Sequence, residues 1–300
     1  MREYRLFQVD AFTREKYTGN PAGVVPDAEG LSDDDMQRIA RELNNSETAF
    51  VFPSHSPDHD VHVRFFTPTR EVPICGHATV AAHYVLAKER GMAGARLLQK
   101  TGAGILPVDI KADGDDLRIV MTQGSIEFGG VIRGEDKARL LGALHLREDD
   151  LRAGYPVQIV STGHSKVMVP ITSRSLLDVI TPDSGVLAAL SRDIGCNGYY
   201  VFCADWSGDA LPVHGRMFAP AAGIMEDPVT GNANGPLGAY LVRHRLVQHD
   251  GRVFSFSAAQ GEAMRRPGII SVEVGIHDDE PVQVKISGNA VIVFKTEISI

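Results

Sequence analysis

The chain has 300 residues, 43% of them hydrophobic and 23% charged, which is enough apolar material for one large core or two medium ones and excludes a disordered chain. Its formal charge of −8, from 38 acidic and 30 basic residues, comes with no concentrated basic stripe, so nucleic acid is not an expected partner. No stretch approaches the roughly 20 apolar residues of a membrane span, MREYRLFQVDAF lacks a signal-peptide core, and Cys75, Cys196 and Cys203 form no C-x-x-C pair. The expectation is a cytoplasmic protein without disulfides, structural zinc or a membrane partner.

Taken in chain order, TGNPAGVV at 18–25 precedes LSDDDMQRIARELNN, where Ser32 is a candidate N-cap with Asp35 three residues on. Met36, Ile39, Ala40 and Leu43 share one face, which predicts an amphipathic helix. TAFVFP and DVHVRFFTP read as strands. EVPICGHA at 71–78 then leads into ATVAAHYVLAKERG at 78–91, small and apolar on nearly all sides at its N-terminal end, as in a buried helix. LRIVMTQ and YPVQIVST are further strands, TGHSKVMV occupies 162–169, and Leu187, Leu190 and Ile194 mark a second amphipathic helix. NGYYVFCA reads as a strand. EDPVTGNA at 226–233 opens ANGPLGAYLVRHRL, a second buried-type helix, and ISVEVGI is a late strand.

This order repeats itself. TGNPAGVV (18–25) matches TGHSKVMV (162–169), FVF (50–52) matches YVF (200–202), RFFTP (64–68) matches RMFAP (216–220), and EVPICGHA (71–78) matches EDPVTGNA (226–233). Four blocks in one order, with offsets that grow slowly, imply a duplicated half with small insertions. The expected fold is α+β, with each half a curved, mostly antiparallel sheet around one buried helix and the two halves facing each other across a cleft.

The paired helix mouths are the first functional candidates. Free first-turn amides and the positive dipole end make Gly76-His77-Ala78 and Gly231-Asn232-Ala233 natural anion sites, suited to a small-molecule carboxylate, although tight connections into core helices would read the same way. His77 is either a structural histidine or a neutral ring able to pass a proton. A metal is not expected, because His77 and His83 are six apart and Cys75 supplies no recognisable ligand spacing. A Cys–His hydrolase has no support from a Cys two positions before its His. No cofactor is expected, since neither GAGILP nor TGNANG completes a nucleotide-binding loop. Glu47, in NNSETAFVF, is either a surface acid after a helix end or a proton-transfer group. The matching CNGYYVF has no acid, and Val72 stands where the second half has Asp227, so the frame is symmetric and its charge is not.

GNPAGVV, NNSETAFV, FFTPTREVPICGHATVAAH, STGHSKVMV and EDPVTGNANGP together resemble the phenazine-biosynthesis isomerase-like (PhzF-like) family, its YddE-type branch, within the diaminopimelate epimerase-like fold. The resemblance spans the whole chain and implies two pseudosymmetric domains, each a β-barrel-like sheet around a central helix. The first would be 1–125 with 286–300 returning to it, and the second 126–285. It implies a cofactor-independent isomerase in which Glu47 shuttles a proton, aided by His77 and Asp227, with Asn20, Gly76, Ala78, Gly231, Asn232 and Ala233 binding substrate; it also admits a homodimer. The family's serine is Asn232 here. The related two-thiol racemases carry Cys before Gly in both motifs, whereas this chain has Cys75-Gly76 and Thr230-Gly231. The other reading is a catalytically silent small-molecule- or protein-binding member of the same fold.

Overall fold

The structure is a computed structural model that describes residues 2–208 and 211–300. The first stretch of chain forms β1 (Glu3–Ala11), β2 (Asn20–Val25), α1 (Asp33–Leu43), β3 (Glu47–Pro53), β4 (Val61–Phe66), β5 (Glu71–Val72), α2 (Gly76–Arg90), β6 (Ala95–Thr101), β7 (Gly104–Asp113) and β8 (Asp116–Thr122). There follow β9 (Glu127–Val131), α3 (Gly134–Ala143), β10 (Gln158–Ser161), β11 (Lys166–Pro170), α4 (Arg174–Val179), α5 (Ser184–Ile194), β12 (Tyr199–Ala204), β13 (Val213–Ala219) and β14 (Ile224–Asp227). The chain ends with α6 (Gly231–Arg243), β15 (Val253–Gln260), β16 (Gly268–His277), β17 (Glu280–Gly288) and β18 (Ala290–Ser299). The result is a mixed α+β protein that divides into two compact units, one running to Thr122 and including Ser287–Ile300, the other Gln123–Ile286. No described helix is long and apolar enough to cross a membrane.

In the first unit, β1 pairs antiparallel with β18 (Glu3↔Ser299) and with β2 (Phe7↔Val24). The α1 crossover sets β3 parallel to β2, with Ala22 opposite Glu47. β4 is antiparallel to β3 and β5, and parallel to β6, which continues into β7 and β8 as an antiparallel meander. α2 packs against β1, β2, β3, β7, β8 and β18. Every residue from Gly76 to Ala87 is buried, as an all-round apolar helix requires.

The second unit runs through a similar series of pairings. β9, β10 and β11 are antiparallel, β12 is parallel to β11, β13 is antiparallel to β12 and β14, and β15 is parallel to β13 before turning antiparallel into β16. Here α6 packs against β10, β11, β15 and β16. Pro236 lies inside α6 and cannot donate to the carbonyl of Asn232, whose ψ of 16° departs from the helical value. The helix is therefore kinked one residue from its mouth, at a position that sequence reading assigned to substrate.

Local signals account for the helix boundaries. Ser32 accepts from the Asp35 amide at 3.2 Å, and the Asp35 carboxylate accepts from the Ser32 amide at 3.1 Å, closing the capping box at α1. Met36, Ile39 and Ala40 are buried and Leu43 packs against the same cluster. In α5, Leu187 and Leu190 are buried with Ile194 packed beside them. The two core helices begin two residues before their apolar runs, at Gly76 and Gly231. Burial also decides the state of His83 in α2: its Nδ1–H donates to the Thr79 carbonyl at 3.0 Å, and desolvation pulls its pKa down to about 4, so the ring is neutral.

Each short strand ahead of a core helix is fastened by the same pair of residue types. Arg64 on β4 donates through Nε and Nη2 to both oxygens of Glu71, each at 2.7 Å. Arg216 on β13 does so to Glu226 at 2.9 and 2.7 Å, and its Nη1 also donates to the Leu177 and Ile180 carbonyls. The side chains of Arg216 and Glu226 are 10% and 16% exposed, against 22% and 43% for Arg64 and Glu71. Breaking the buried pair strands a charge away from water, whereas the outer one can be rehydrated. Glu226→Ala is therefore expected to cost roughly 3–5 kcal/mol and Glu71→Ala about 1 kcal/mol or less, compared by urea unfolding midpoints. Equal losses in the two variants would contradict this account.

Candidate functional site

Within the first unit, the turn from α1 into β3 and the mouth of α2 meet. Glu47 begins β3 and His77 is the second residue of α2. His77 Nε2 lies 3.3 Å from Glu47 Oε2 and 3.1 Å from Ser46 Oγ, while Nδ1 lies 3.4 Å from Cys75 Sγ. The side chains of His77 and Glu47 are only 7% and 13% exposed, so their contact is largely shielded from bulk water. The Glu47, Cys75 and His77 donor atoms all lie within 4.8 Å of one another. The N-cap, Cys75, places no side-chain hydrogen bond on the first-turn amides of Gly76, His77 and Ala78. Asn20, at the start of β2 opposite Ala11, is fully buried.

Within the second unit, Asp227 ends β14 and is 6% exposed. The Thr230 hydroxyl donates to its Oδ2, and Gln260 Nε2 donates to its backbone carbonyl at 2.8 Å. Gln260 Oε1 accepts from the Thr230 amide and from Asn234 Nδ2, and Asn234 Oδ1 accepts from the Tyr200 hydroxyl at 2.7 Å. A buried polar network of this kind positions the carboxylate only because its members satisfy one another. At the helix mouth, Gln123 Nε2 donates to the Gly231 carbonyl at 3.0 Å and to Asn232 Oδ1 at 3.2 Å, while its Oε1 accepts from Thr162. A Cβ at Gly231 would lie 2.4 Å from Ile286 Cδ1, so the end of that side chain would have to shift to admit one. Lys166, at the head of β11, is 4% exposed and donates to the Ser165 carbonyl at 3.3 Å.

Residues 9–296 match the model of the family described as phenazine biosynthesis-like proteins. An uncharacterized isomerase of Clostridium acetobutylicum is 60% identical, with 99% of both chains covered. The uncharacterized isomerase YddE of Escherichia coli is 50% identical over 99% of this chain and 98% of its own. The trans-2,3-dihydro-3-hydroxyanthranilate isomerase of Pseudomonas aeruginosa is 31% identical, over 95% of this chain and 96% of that one. The crystal structure of a Bacillus anthracis phenazine biosynthesis protein of the PhzF family superposes with a TM-score of 0.89 at 34% identity, covering 100% of both chains. The chain belongs to the phenazine biosynthesis-like family and is an isomerase.

Cys75 is buried, with its thiol beside the His77 ring. Two participants escaped the sequence reading. Gln123 carried no signal, because a glutamine at a strand end is ordinary. Lys166 did carry one: a lysine leads a strand, KVMVP, that is buried at every position. Burial drives its pKa from 10.5 down to about 8, with the charge of Asp227 acting in the opposite direction. Between about pH 8 and 10.5 the unfolded chain holds more protons, so this lysine's cost shrinks as pH rises across that window and is complete below it. Lys166→Met is expected to stabilise the protein at pH 7 by up to about 3 kcal/mol and to bring the two chains closer together by pH 10. Urea midpoints at both pH values measure it; a variant less stable than wild type at pH 7 would refute it.

Proposed function

We propose that the protein moves a proton within a small carboxylate-containing substrate by acid/base catalysis and without a cofactor. Glu47 is the group that carries the proton. In this reading its carboxylate takes a proton from an acidic C–H of the substrate and returns it to a different carbon, so that the double bond migrates and no atom is gained or lost. His77 holds Glu47 through Nε2 and passes or donates a hydrogen bond as charge develops. Asp227 balances charge and orients the substrate. The amides at Gly76–Ala78 and Gly231–Ala233, with Asn20 and Asn232, receive the carboxylate and neighbouring polar groups. The single observation that carries the reading is the shielded contact of Glu47 with His77 at the uncapped mouth of α2.

The recurrent strand order supports the further inference that the chain arose by internal duplication. Its unequal mouths support proton transfer by a carboxylate rather than by two thiols. The second mouth has Thr230, whose hydroxyl is committed to Asp227, and a hydroxyl of such high pKa does not serve as the partner base. Asn232 supplies two donors and an acceptor where the resemblance has a serine, so the substrate differs in the polar group presented there.

Incubating the protein with a metabolite extract in D₂O identifies the substrate as the compound that gains deuterium. Glu47→Gln keeps the shape of the side chain and loses its basicity, and is expected to lower exchange at least about 100-fold while binding stays near normal. Asp227→Asn is expected to slow exchange by less, and Cys75→Ala to have a mild effect. Loss of exchange in Cys75→Ala with retention in Glu47→Gln would replace this mechanism with a cysteine-based one.

A further inference from the structure

The Glu47–His77 pair has a third neighbour that proton transfer does not use. Cys75 Sγ lies 3.9 Å from His77 Nε2, the same nitrogen that stands 3.3 Å from Glu47 Oε2, and the three donor atoms fall within 4.8 Å of one another. A tetrahedral zinc ion, with bonds of about 2.0–2.3 Å, holds its ligand atoms about 3.3–3.8 Å apart. The 3.3 Å separation of Nε2 from Oε2 is already at that spacing. Cys75 Sγ, 3.9 Å from Nε2 and 3.4 Å from Nδ1, meets a cation on the Nε2 lone pair only after the Cys75 side chain turns about its Cα–Cβ bond. One sulfur, one nitrogen and one oxygen are the donor types favoured by borderline divalent ions such as Zn²⁺ and Co²⁺, and three protein ligands with one open position is the arrangement of exchangeable zinc.

Charge and framework also fit. A bound divalent cation would meet a carboxylate and a thiolate, so the site is neutral once the Cys75 S–H proton has left to solvent. This offsets the unfavourable positive end of α2. All three residues belong to the first unit, two of them on one helix mouth and one on the adjoining strand start. The spacing of Cys75 and His77 did not suggest a ligand pair because the third donor comes from 28 residues upstream of Cys75.

We propose that Glu47, Cys75 and His77 form an inhibitory site for a thiophilic divalent cation of the zinc type, which on binding withdraws Glu47 and His77 from proton transfer. The inhibitory half rests on the catalytic reading above; the cation site does not.

Titrating the full-length protein with Co²⁺ in the absence of substrate tests the site. The expected result is one equivalent bound with a cobalt–thiolate charge-transfer band in the near ultraviolet. That band should be lost in Cys75→Ala and in the size-conserving Cys75→Ser, both checked for wild-type melting. Zn²⁺ should displace the cobalt, and Glu47→Gln should weaken binding at least tenfold. Absence of a thiolate band, or a band that survives Cys75→Ser because Cys196 or Cys203 supplies the sulfur, overturns the site. Deuterium exchange, scored against each protein's own metal-free rate, tests the consequence: Zn²⁺ should suppress wild type, a chelator should restore it, and Cys75→Ser should resist. Stoichiometric binding with undiminished exchange overturns the inhibitory role alone, and retained exchange in Glu47→Gln overturns the catalytic reading while leaving the cation site standing.

Discussion

Two helices that are apolar on every side have to be enclosed, and the rest of the architecture follows from that requirement. From Gly76 to Ala87 every residue of α2 is buried, so no single sheet face could satisfy it; strands from both ends of the unit, β1 and β18 included, are drawn around it. The same demand in the second unit collects β10, β11, β15 and β16 about α6. Enclosure has a chemical by-product. A helix buried along its length presents its polar backbone at its mouth, where the first amides lack intrahelical partners. The residues around that mouth, with a largely apolar helix behind them, are where electrostatic effects are strongest.

The adjacent acids Glu226 and Asp227 show how one strand serves packing and chemistry together. Successive strand residues point to opposite faces. Glu226 turns to Arg216 and ties β14 to β13, and Arg216 goes on to two carbonyls around the end of α4. Asp227 turns the other way, into the network of Thr230, Gln260 and Asn234. The first unit has the corresponding clamp, Arg64 with Glu71, but Val72 in place of the second acid. Its carboxylate comes instead from Glu47 across the parallel β2–β3 connection. Alike frames thus carry unlike charges.

Buried polarity has a stability cost in this protein. Lys166 stands among apolar strand residues with its pKa brought down to about 8, and His83 is held neutral inside α2. Proteins tolerate such groups where removing them damages a site or a network. Lys166 shares its unit with Asp227 and feels its charge, so its retention is intelligible as support for that carboxylate. His83 packs deep in α2, and its Nδ1–H bond to Thr79 belongs to the helix itself.

Local physics made much of the protein legible from sequence. The Ser32–Asp35 capping box, the helical faces of α1 and α5, and the small, mostly apolar N-terminal ends of α2 and α6 are written in spacing and residue type, because each depends on neighbours three or four positions away. The repeated blocks likewise exposed the recurrent strand order, since aligned motifs occupy aligned elements. Family membership was legible for the same reason: its motifs are contiguous. The contacts of Cys75, Gln123 and Lys166 were not legible. Gln123 reaches Gly231 and Asn232 across more than a hundred residues, and Cys75 and His77 acquire Glu47 only when β3 is set beside the mouth of α2. Burial, which shifts Lys166 and His83, is a property of everything packed around a side chain. Tertiary structure decided those features because distance in space and exclusion of water are set by the whole enclosure, and neither is encoded in any single stretch of chain.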